Sequence, residues 1–135
     1  MIAILGKALD ASLAKKRFEL PEGGWLEIDG CCESPRVMCE AWAHIGTPKS
    51  AQKNKVMADA MKLLFAVSLA PGNQRLILAF TDESAASHFR GDSWMAQALK
   101  EKGIDPRGRT QYRWAGAWSY RLITARFELR KEGGL

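Results

Sequence analysis

The run Leu76-Ile77-Leu78-Ala79-Phe80 constrains the fold more than any other feature, because it is continuous rather than alternating. A strand with one face in water carries apolar residues at every second position, whereas a strand covered on both faces carries them at every position. Arg75 to Phe80 therefore reads as a central parallel strand with helices on either side of its sheet. At 135 residues, 47% of them apolar, the chain has the length and the core material of one domain. A single domain over 1–135 is expected.

Upstream, Thr47-Pro48 has the form of an N-cap followed by a first helical residue. Val56, Ala60, Leu63, Leu64 and Val67 then make one stripe of a helix that stops near Pro71-Gly72. That length suits a right-handed crossover between parallel strands. The preceding strand comes from a β-hairpin over Trp25 to Ala43, with arms Leu26-Glu27-Ile28-Asp29-Gly30 and Val37-Met38-Cys39-Glu40-Ala41-Trp42. Earlier still, Ile2, Leu5, Leu9 and Leu13 predict an amphipathic helix ending in Lys15-Lys16-Arg17, and Arg17 to Leu20 a short strand. After the central strand, a helical stretch interrupted at Gly91 is expected to run to Gly103, followed by a strand at Gln111 to Trp114. The last segment fits both periods: Trp118, Leu122, Ala125 and Leu129 are spaced for a helix, while Ile123, Ala125, Phe127 and Leu129 alternate. The helical reading is preferred, and the whole reads as an α/β fold with a mixed sheet.

A loop symmetric about Ser34 and Pro35 sets Asp29 opposite Glu40 and Glu27 opposite Trp42. Opposed side chains in such a ladder lie roughly 5 Å apart at Cβ, and like charges there repel unless something neutralises them. A divalent cation held by hard oxygen ligands does so. The competing expectation is that both carboxylates point to water or lie out of register.

The net charge of +5 is concentrated. From Lys100 onward there are nine Lys and Arg against four Asp and Glu, which accounts for all of it. Such a segment, with Arg107, Arg109, Arg113 and Arg121 beside Trp114 and Trp118, suits nucleic acid. The apolar run Met61 to Ala70 is broken by Lys62 and Ser68 and is too short for a bilayer, so no membrane partner is expected. Three clustered cysteines, Cys31, Cys32 and Cys39, fit a reducing compartment, and a cytoplasmic location is expected. With no C-x-x-C and only His44 and His88 as histidines, buried thiols are favoured over a zinc site.

The element order and the two acids resemble the PD-(D/E)xK superfamily, the restriction-endonuclease-like nucleases. The resemblance covers Met1 to about Asp82. It implies a three-layer restriction-endonuclease-like fold with an αβββαβ core, here with a C-terminal α/β extension. Asp29 matches the acid of the second strand and Glu40 that of the third. By resemblance, these two would bind Mg²⁺ or Mn²⁺ for phosphodiester hydrolysis of nucleic acid, with DNA the expected partner and a homodimer or larger complex allowed.

The third-strand tripeptide reads Glu40-Ala41-Trp42, without the family lysine that orients water and offsets charge on the phosphate. Some members supply that lysine from the following helix, where Lys49, Gln52, Lys53 and Lys55 are candidates. At about 100° per residue, Lys49 and Lys53 fall on the apolar face, while Gln52, Lys55, Asp59 and Lys62 form a polar stripe beside it. Gln52 with Lys55 or Lys53 is the expected positioning set. The alternative is a catalytically silent module of the same fold that binds DNA or a protein. A small-molecule domain would need a pocket near Asp82, for which no motif is present.

Overall fold

The computed structural model describes residues 2–34, 36–42, 46–70, 74–80, 83–102, 104, 108–114 and 118–127. Its elements are α1 (Ile2–Leu9), β1 (Ala14–Glu19), β2 (Trp25–Glu33), β3 (Arg36–Trp42), α2 (Ser50–Leu69), β4 (Gln74–Phe80), α3 (Glu83–Ser87), α4 (Trp94–Glu101), β5 (Gly108–Trp114) and β6 (Trp118–Phe127). The strands form one mixed sheet in the order β1-β2-β3-β4-β6-β5. β1, β2 and β3 are an antiparallel meander, α2 crosses over to β4, and β4 runs parallel to β3. The protein is thus α/β. Among the described residues no helix is long and apolar enough to cross a membrane.

Leu76 to Phe80 are all buried, as a continuous apolar run requires. Leu76, Leu78 and Phe80 join Met38, Trp42 and the inward faces of α2, α3 and α4 in the main core. Ile77 and Ala79 join Val37, Cys39 and Leu5 of α1 in a smaller core on the opposite side. Residue parity along β3 and β4 therefore says which helix layer a side chain meets.

Three expectations are corrected. The first helix stops at Leu9, and Lys15 to Arg17 lie in β1. Asp10 adopts a left-handed φ of 51°, the Ala11 N–H donates to Gly6 O at 2.8 Å, and the Asp10 N–H donates to Lys7 O at 3.2 Å. This Schellman closure satisfies the end carbonyls and turns the chain into the sheet. A side chain at Gly6 would place its Cβ 2.6 Å from Ala11 O, so only glycine permits the closure.

Next, α2 begins at Ser50 rather than Pro48, with Lys49 as N-cap. Gln52 Oε1 accepts from the Lys49 N–H at 2.9 Å, the half of a capping box that a lysine cap allows.

The largest correction is the last segment, which is a strand and not a helix. β6 pairs antiparallel with β4 from Gln74↔Phe127 to Phe80↔Arg121, and with β5 on its other side. An apolar, doubly covered strand cannot leave one row of N–H and C=O groups unpaired in the interior. β6 supplies the partners, so the alternating period prevails over the helical one.

Candidate functional site

The hairpin pairs Glu33↔Arg36, Cys32↔Val37, Cys31↔Met38 and Gly30↔Cys39, which is the register of a loop symmetric about residues 34 and 35. The paired rungs end there, and Asp29 and Glu40 are the next residues beyond them on the two arms. On the other side of β2 the pairing is irregular: Ala14 faces Cys31, but Lys16 faces Ile28. Two steps of β1 thus match three of β2, a β-bulge at Asp29-Gly30. Its effect is visible in the packing. Leu26, Ile28 and Cys31 all meet the main core on the α2 side, so the alternation slips between 28 and 31. Gly30 faces the α1 side, where an added Cβ would lie 2.7 Å from Cys39 Sγ and 3.3 Å from the Ile2 side chain.

Counted from the loop, Asp29 falls on the same side as Cys31, Met38 and Glu40, and the slip lets Ile28 return to that side as well. Asp29 Oδ2 accepts from the Ala41 N–H at 3.0 Å, so a side chain takes a main-chain donor of β3. Glu40, of the same parity as Met38 and Trp42, faces α2 and is 3% exposed. Lys62 Nζ of α2 lies 3.1 Å from Glu40 Oε1. By direction the contact is not a well-formed hydrogen bond, since Oε1 has no well-aligned donor, yet Lys62 favours the ionised form of Glu40. Lys62 also reaches Asp59 Oδ1 at 3.9 Å, and Lys55 approaches the same atom at 3.7 Å.

The electrostatics divide the two carboxyls. Burial, aided by the hydrogen bond with Asp29, pushes Glu40 up to about 8 against the opposing pull of Lys62. Burial also acts to raise Asp29, but the hydrogen bond with Glu40, the Ala41 N–H, and the charges of Lys62 and Lys15 outweigh it and hold Asp29 below its ordinary value. The pair accordingly holds one proton, on Glu40, beside an ionised Asp29. Burial raises Asp59 as well, with Lys55 and Lys62 opposing.

The positioning residues expected on α2 are distributed differently. Gln52 is engaged at the helix start, about 15 Å along the axis from Lys62 at 1.5 Å per residue, and the charge of Lys53 acts on His88. Among the described residues, Lys55 meets the site through Asp59. The lysine beside Glu40 is Lys62, the last member of the polar stripe. A crossover helix opens beyond the end of β3 and runs back along it, so the residue level with Glu40 comes about three turns into α2. The stripe marked the right face; the level along it was the missing information.

His44 and Arg107 lie outside the described residues. Arg109 and Arg113 hold positions on β5 and Arg121 on β6, toward the sheet edge remote from β1. The three cysteines are free thiols, and burial, first of all, pushes Cys31 to about 11 and Cys39 to about 12. Among the described residues no group of three His, Cys, Asp or Glu side chains converges to hold a metal ion. Comparison with protein-family models, with curated proteins and with solved structures finds no match.

Proposed function

We propose that this protein is a metal-dependent phosphodiester hydrolase acting on nucleic acid, built on a restriction-endonuclease-like αβββαβ core. The observation that carries the reading is the convergence of Asp29, Glu40 and Lys62 from a hairpin and its crossover helix. Two carboxylates and one lysine on that unit are the parts the chemistry needs, and Lys62 answers for the lysine missing beside Glu40.

Asp29 and Glu40 are hard oxygen donors on adjacent strands, a set that fits Mg²⁺ or Mn²⁺, since Mg²⁺ keeps several waters beside one or two carboxylates. Held there, such an ion would polarise a phosphoryl oxygen and acidify a water. Asp29 is already ionised, and Glu40 must release its proton to serve as a ligand. Lys62 offsets negative charge developing on the phosphate and orients the attacking water. Asp59 holds Lys62 in place, and Lys55 balances Asp59.

The test is cleavage of single- and double-stranded DNA and RNA with Mg²⁺ or Mn²⁺, comparing wild type with Glu40→Gln, Lys62→Ala and Lys53→Ala. Wild type should cut, and Lys62→Ala should lose about 10²- to 10³-fold in rate. Lys53→Ala should retain activity. A wild type that binds nucleic acid and cuts none of these substrates would replace this reading with that of a silent binding module.

A further inference from the structure

Next to the carboxylate pair, on the same side of the sheet, lies a half-open cleft of about 370 Å³. Its wall carries the cations Lys16 and Arg36 against one carboxylate, Glu33, with an apolar floor that includes Phe18 and Met38. Lys15 also borders it, but its ammonium pairs with Glu27, which alternates with the core-facing Leu26 and Ile28 and so lies on the other face of the sheet. The volume is near the lower end of pockets for small organic ligands, roughly 300 to 1,000 Å³. It has room for a single nucleotide and not for a duplex.

The cleft adjoins the site on two strands. Met38 is two residues from Glu40 on the same face of β3, about 7 Å along the strand. Cys31, its partner across the hairpin, also lines the cleft and feels the charges of both Lys16 and Glu40.

Lys16 is held loosely: it pairs with Glu33 at 3.9 Å, both side chains well exposed. An exposed pair of this kind contributes little, so a phosphate can draw this lysine away at small cost. Lys16 Nζ also sits 5.0 Å above the Phe18 ring, where cation and apolar surface meet.

We propose that this cleft receives one unpaired nucleotide of the substrate strand, with its phosphate between Lys16 and Arg36 and its base over Phe18 and Met38. The inference rests on the hydrolase reading and narrows its substrate to single strands, flaps or frayed ends. The neighbouring phosphate of the same strand then lies toward Asp29 and Glu40.

The experiment is amide-shift mapping of the metal-free protein in EDTA, titrated separately with thymidine 5′-monophosphate, inorganic phosphate, a short oligothymidylate and a blunt duplex. Binding and cleavage by Lys16→Glu and Arg36→Gln are measured in parallel. The mononucleotide and oligothymidylate should shift the amides of Cys31, Cys32 and Met38 and compete with one another. Each substitution should weaken oligothymidylate binding about tenfold and take about one unit from the slope of log K against log salt.

The proposal is overturned if inorganic phosphate reproduces all of the shifts, if the duplex occupies the cleft equally, or if wild type shows no shifts there. Nucleotide binding at these amides without cleavage of any substrate keeps the cleft and removes the hydrolase reading. Equal cutting of blunt duplex and single strand, unaffected by either substitution, keeps the hydrolase and removes the cleft.

Discussion

Replacing Glu40 with glutamine in the metal-free protein should stabilise it at neutral and alkaline pH while changing little in acid. Glu40 is raised from 4.5 to about 8 in the folded state, so between these values the folded chain binds one more proton there than the unfolded chain. Unfolding free energy then falls as pH rises, by about 1.4 kcal/mol per unit. The stabilising contribution of the protonated carboxyl is fully present below pH 4.5 and is lost as pH climbs through 8. By pH 7 the loss is about 3 kcal/mol, and across the whole window about 5 kcal/mol. At 3% exposure, water screens little of this. Glutamine does not titrate, and its amide can donate to Asp29 as protonated Glu40 does. Urea unfolding followed by tryptophan fluorescence at pH 5, 6, 7 and 8 in EDTA should therefore show two curves that coincide in acid and diverge with pH, the variant above. Parallel curves, or a variant weaker at pH 8 than at pH 5 relative to wild type, would refute the assignment of the proton to Glu40.

Two further substitutions probe how the site is built. Gly30→Ala forces a Cβ to within 2.7 Å of Cys39 Sγ and should cost about 1 to 3 kcal/mol by overpacking, with partial recovery when Cys39→Ala is added; thermal melting of the single and double variants checks this. Ser93→Ala removes the cap whose Oγ accepts from the Ala96 N–H at 3.1 Å, and should lower chemical stability by about 1 kcal/mol without changing nucleotide binding.

Much of the architecture is legible in the chain because burial leaves a period in the sequence. Leu76 to Phe80 announces a strand covered on both faces, the stripe from Val56 to Val67 announces the crossover helix, and the symmetric loop at Ser34 sets the hairpin rungs. These are local patterns, and each records which side of one element meets the core. The same pattern brings Asp29 and Glu40 together, one step beyond the last paired rung.

What only the tertiary structure decided depends on partners far apart in the chain. Trp118 to Phe127 carries two periods at once, and the open edge of β4 selects the strand because its backbone groups need partners. The bulge at Asp29-Gly30 leaves no local mark, since it is defined by the mismatch between β1 and β2, yet it lets Ile28 and Asp29 both face α2. Lys62 is chosen over Lys53 and Lys55 by the level at which a returning helix passes Glu40. Periodicity encodes faces; register and level are set by packing between elements, and this protein assembles its candidate site from all three.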